Sequence, residues 1–83
     1  MQTIEEYIEE LNDIINDIND KVCKATPYCF NKFCVESTLI NGKRLTEIEN
    51  ICSKYGCNAG LSESDYITEL GYVFIIEIRR NNI

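Results

Sequence analysis

Five cysteines and no histidine set the chemistry open to this chain of 83 residues. Cys29-x4-Cys34 and Cys52-x4-Cys57 are two equally spaced pairs, separated by seventeen residues, and in outline they match the two knuckles of a four-thiolate zinc site. The usual knuckle has two intervening residues and a Gly or Pro turn, and both pairs lack these features. The plainer reading is that Cys23 and these four are reduced thiols, buried or partly buried as cysteines commonly are. An odd number of cysteines in a chain without an export signal argues against a complete disulfide framework. With no His to take its proton, and with Lys21, Lys24, Lys32 and Lys54 as poorer substitutes, no thiol is set up as a nucleophile. The expectation is a protein that is not an enzyme and needs no cofactor, with a metal bound by Cys29, Cys34, Cys52 and Cys57 as a minor alternative.

The second constellation is acidic. The net charge of −6 is unevenly placed, because residues 1–20 carry seven acids and no Lys or Arg, whereas residues 21–83 carry seven acids and eight basic residues. Direct binding to nucleic acid is disfavoured, since Lys and Arg contacts with phosphate supply most of that affinity. A basic or nucleic-acid-binding protein is the natural partner. Glu5, Glu9, Asp13 and Asp17 recur every fourth residue, about 6 Å apart along a helix, on the scale of successive backbone phosphates. Glu6, Glu10 and Asp20 flank them, so the row can imitate part of a phosphate backbone. An ordinary solvated helix face also carries charge, but it mixes signs to gain i, i+4 pairs of about 0.2–0.5 kcal/mol each, and this one has no interleaved Lys.

Small acidic proteins made by phages and other mobile elements use such surfaces to occupy nucleic-acid sites on host defence proteins, CRISPR nucleases and restriction enzymes among them. This chain is similar to them in type, in its composition and one helix, without a shared motif. The likeness implies a non-enzymatic inhibitor acting by occupancy, an anti-CRISPR or anti-restriction protein in the host cytoplasm with such a nuclease as its partner.

These residues need a helix to align them. Thr3 and Glu6 have the spacing of a capping box, and Ile4, Ile8, Leu11, Ile15, Ile18 and Val22 follow at alternating steps of four and three, with Tyr7 and Ile14 on the flank. The spacing predicts an amphipathic helix over about residues 3–24. Its seam spans nearly three heptads and admits two uses, packing on its own domain or forming a homodimer, and a dimeric interaction or regulatory module is the alternative function.

The segment 28–36 is ambiguous and leans to a short helix, with Pro27 at its first position, although Cys29, Phe33, Val35 and Leu39 approach period two. Asn41-Gly42 reads as a turn, and Thr46 with Glu49 predicts a second helix over about 46–55, stopped by Gly56. Residues 72–78 are β-branched and aromatic, and pairing with 62–69 around Leu70-Gly71 predicts a hairpin over about 61–79, with a short helix over 62–69, capped by Ser62 and Asp65 and ended by Gly71, as the alternative. In its last strand Tyr72, Phe74, Ile76 and Ile78 are expected in the core, leaving Val73 and Ile75 partly exposed.

The sum is a single small α+β domain over 1–83, a long amino-terminal helix and one or two short helices packed on a small carboxyl-terminal antiparallel sheet. The chain has no basic and apolar leader and no run approaching the ~20 apolar residues of a membrane span, so a cytoplasmic protein without membrane contact is expected.

Overall fold

The computed structural model describes residues 3–69 and 71–81, apart from the side chains of Tyr66 and Thr68. Helix α1 runs Ile4–Lys21, opened by Thr3, whose Oγ1 accepts the Glu6 amide at 3.2 Å. The amides of Val22 and Cys23 both return to the Ile18 carbonyl, at 2.8 and 3.2 Å, and close the helix. Asn19 then holds the exit: its Nδ2 donates to the Ala25 carbonyl at 3.0 Å and its Oδ1 accepts the Ala25 amide. One side chain thereby satisfies both backbone groups of the residue that leads into the sheet.

The lean towards a short helix at 28–36 is corrected by the structure, which places strands β1, Thr26–Cys29, and β2, Lys32–Glu36, there as an antiparallel pair. The period-two signal wins because Phe33 and Val35 can then point together into the core while Lys32, Cys34 and Glu36 stay half-buried on the other side. Asn31 at the turn is fastened to the far strand, since its carbonyl accepts the Ile78 amide at 2.8 Å and its Nδ2 donates to the Ile78 carbonyl at 3.2 Å. Pro27, which has no N–H to give a ladder, sits in the outermost strand, where the loss is tolerated.

A single 3-10 turn at Ser37–Leu39 leads to helix α2, Gly42–Lys54. This helix begins ahead of Thr46 because Asn41, a strong capping residue, accepts the Arg44 amide on its Oδ1 at 2.9 Å. The Thr46 hydroxyl donates instead to the Gly42 carbonyl one turn back, at 3.0 Å. Gly56, at φ 71, supplies the left-handed residue that ends the helix and starts strand β3, Cys57–Thr68. Strand β4, Gly71–Arg80, returns antiparallel to β3, as the hairpin reading required; Leu70, assigned to the turn from sequence, lies outside the described residues.

The four antiparallel strands are ordered β1-β2-β4-β3, so β1 and β3 form the edges. Pairing of Phe33 with Ile76, Ala59 with Ile78 and Leu61 with Ile76 puts these side chains on one face, and both helices cover it. The core joins Leu11, Ile14, Ile15, Ile18 and Val22 of α1 and its exit with Ile48, Ile51 and Cys52 of α2 and Phe33, Val35, Cys57, Ile76 and Ile78 of the sheet. The fold is thus α+β, with two helices layered on one side of an antiparallel sheet.

The molecule measures 42 × 23 × 22 Å, and its length corrects one detail of the expected core. Tyr72 shares its strand face with Ile76 and Ile78 but is 64% exposed, and Ile67 beside it is 71% exposed. The helices cover only the other end of the hairpin. Val73, on the opposite face, is buried instead, where the Ser37–Leu39 turn packs against β4. Between Glu63 and Ile67 the β3 ladder shifts register, a bulge that lies in this uncovered part of the hairpin.

Ile18 is fully buried and Ile4 is 63% exposed on the same helix, so the two should respond differently to truncation. Ile18→Ala is expected to cost about 2–5 kcal/mol in urea unfolding, and Ile4→Ala about 0.5 kcal/mol or less.

Candidate functional site

The solvent side of α1 carries the acidic constellation, and folding divides it into two sets. Glu5, Glu6, Glu9, Asp13 and Asp20 are exposed, and none of them forms an ion pair among the described residues. Asp17 and Glu10 are half-buried and are used by the fold. Asp17 bridges two cations, with Oδ1 2.7 Å from Lys21 Nζ and Oδ2 2.6 Å from Lys54 Nζ, which ties α1 to the end of α2. Glu10 lies 3.8 Å from the Arg80 guanidinium, which itself rests over the Tyr7 ring at 5.4 Å and so links α1 to the end of β4. One Glu10 oxygen is buried without a hydrogen bond.

The four-membered row read from sequence therefore keeps three free members, Glu5, Glu9 and Asp13, spanning about 12 Å of helix at 1.5 Å per residue. Glu6 broadens the amino-terminal part, and Asp20 stands apart near the other end. These carboxylates project from a helix whose opposite side is locked in the core by Leu11, Ile14, Ile15 and Ile18. The surface is consequently held rigid before any partner arrives.

The apolar seam is divided in the same way. Leu11, Ile15, Ile18 and Val22 are core residues, so this part of the seam packs within its own chain. Ile4 and Ile8, at 63% and 40% exposure, emerge beyond the sheet. Tyr7, between them in sequence, meets the Phe30 ring edge-on with centroids 5.5 Å apart, and Phe30 is itself half exposed. Helical periodicity does not reveal this apolar shoulder next to the free acids, because it shows which side of a helix is apolar and not which part of that side the fold covers.

The cysteines separate rather than assemble. Cys52 and Cys57 are buried between helix and sheet, whereas Cys34 pairs with Ile75 on the uncovered face and Cys29 is exposed on β1. The sheet thus divides the two pairs of Cys29, Cys34, Cys52 and Cys57, and no group of three or more Cys, Asp or Glu positioned for a metal ion occurs among the described residues. Burial pushes the Cys52 thiol up to about 12 and also raises Cys23, Cys34 and Cys57, which keeps these sulfurs protonated and weakly nucleophilic. Among the described residues, no helix is long and apolar enough to cross a membrane.

Comparison with known proteins finds no family model, no curated protein and no solved structure that matches this chain.

Two measurements check this account of the site. Hydrogen bonds from Lys21 and Lys54 hold the Asp17 carboxyl below its ordinary value, so its contribution to stability is present above the usual carboxylate range and disappears as pH falls through the lowered value. Melting temperature should therefore drop on acidification between about pH 5 and pH 2, with a shallower decline in Asp17→Asn than in wild type. A thiol reagent applied to folded protein should modify Cys29 first and Cys34 more slowly, and should reach Cys23, Cys52 and Cys57 only on unfolding; rapid labelling of Cys52 in native protein would contradict the burial described.

Proposed function

We propose that this chain is a non-enzymatic binding protein whose α1 surface docks in a basic, nucleic-acid-binding groove of another protein and inhibits it by occupancy. The observation that carries the reading is the set of free carboxylates at Glu5, Glu6, Glu9 and Asp13, exposed on one helix with no cation of the same chain paired to them among the described residues. The fold neutralises Asp17 and Glu10, which serve its own packing, and leaves the rest for a partner. Like charges at i, i+4 cost a few tenths of a kcal/mol per pair in the isolated protein, and a lysine- or arginine-lined groove would relieve that repulsion. A CRISPR or restriction nuclease is the target class that this reading favours.

A second reading, self-association as a small regulatory module, is favoured by the exposed Ile4 and Ile8 beside Phe30. It needs only this short shoulder, because the remainder of the seam belongs to the core.

One experiment separates the two. Wild type and a Glu5→Lys, Glu9→Lys, Asp13→Lys variant would be used for affinity capture from cell lysate, with added duplex DNA as competitor; Asp17 is left intact because reversing it would break the tie to Lys54. Wild type should retain a nucleic-acid-binding protein that DNA releases and that salt weakens steeply, and the variant should bind it at least about tenfold less tightly. Equal retention by both proteins would discard the acidic surface as the site. A dimeric mass in solution that is lost in Ile8→Glu would favour the second reading.

A further inference from the structure

Three of the eight basic side chains of this acidic chain line one cleft. It lies between the carboxyl-terminal end of α1 and the amino-terminal end of α2, has a volume of about 390 Å³, and is lined by Lys21, Val22, Asn41, Lys43, Arg44 and Glu47. Three cations and one carboxylate give its walls a positive charge within a chain of net charge −6.

Most other cations are engaged. Lys54 binds Asp17, Lys32 and Arg79 both bind Glu77, and Arg80 faces Glu10 and Tyr7. Lys21 holds Asp17 at the edge of the cleft. The cations with no ion pair among the described residues are Lys24, Lys43 and Arg44, and two of these three line the cleft. Glu47 is the nearest carboxylate in sequence and forms no ion pair with either. Arg44 is half-buried, and its charge and that of Glu47 bear on the buried Cys23 thiol with opposite sign. Asn41 uses Oδ1 to accept the Arg44 amide and keeps its Nδ2 as a donor at the wall.

The half-buried Arg44 guanidinium and the exposed Lys43 form no ion pair among the described residues, and a bound anion would take the place of water as a charged acceptor for their N–H groups. The volume falls in the range of small-molecule sites, about 300–1,000 Å³, which exceeds the need of a lone simple ion. A long polyanion is disfavoured, because a strand continuing past the cleft would run along a chain of net charge −6 with Asp17 and Asp20 on the adjoining helix.

We propose that this cleft binds a small phosphoryl-bearing molecule of the mono- or diphosphate class, with Arg44 as a two-pronged donor and Lys43 and Lys21 as point charges. The site is separate from Glu5, Glu6, Glu9 and Asp13 and does not depend on the function proposed for them.

The test is an amide NMR titration of the full chain with inorganic phosphate, pyrophosphate and ADP. It would be run on wild type, on Lys43→Gln with Arg44→Gln, on Lys43→Glu alone, and on Lys32→Gln as a control on another surface. The expected result is a saturable shift confined to residues 21–22 and 41–47. Pyrophosphate or ADP affinity should fall at least tenfold in both cleft variants and stay unchanged in the control. Lys43 is exposed, so the single variant keeps the test decisive should the half-buried Arg44 prove necessary for folding. The proposal is overturned by the absence of a saturable shift at millimolar ligand, by an equal response to acetate, by unchanged affinity in the cleft variants, or by a single-stranded oligonucleotide that binds the cleft more tightly than ADP.

Discussion

Everything in this molecule depends on the burial of one side of α1 against the sheet. A domain of 83 residues has room for a single core, and its largest contiguous contribution is Leu11, Ile14, Ile15, Ile18 and Val22 laid over Phe33, Ile76 and Ile78. Once these residues are fixed, the rotation of the helix is fixed too. The acids on its far side then become a rigid surface and not a flexible tail, and the half-buried Asp17 and Glu10 are captured by Lys54 and Arg80 from later in the chain.

That capture shows how one charged helix serves two purposes. The acidic residues closest to the core work as fasteners, with Asp17 joining the helices and Glu10 reaching the last strand. Exposed ion pairs contribute little individually, so the hydrophobic contacts remain the main source of stability. The acids farther out take no part in this arrangement.

The sequence reveals helix α1 and the β3–β4 hairpin directly, because Thr3 opens a sustained apolar repeat and residues 72–78 are dense in β-branched and aromatic types. Segment 28–36 carries a weaker signal. Its few residues fit either period, and what decides between them is the pairing of Phe33 with Ile76, forty-three positions away. Burial of Val73 in place of Tyr72 could not be read from alternation, since it depends on where the helices stop covering the hairpin and where the Ser37–Leu39 turn lies. In the acidic site the exposed residues follow from helical spacing alone. The pairing of Asp17 with Lys54 and of Glu10 with Arg80 requires the tertiary fold, as does the cleft formed by Lys21, Lys43 and Arg44.

The order of the strands decides which rims a foreign strand could reach. An open sheet has two rims that can recruit foreign strands and seed fibres. On the β1 rim Pro27 removes a donor and a register shift follows it, so a visiting strand finds an interrupted template only four residues long. On the longer β3 rim the irregularity after Glu63 breaks the repeat where the helices no longer shield it, with Glu63, Asp65 and Glu69 spaced along the same stretch to repel an identical neighbour. The projecting hairpin thus carries, in its broken ladder and its row of like charges, features that oppose fibrillar stacking on its open rim.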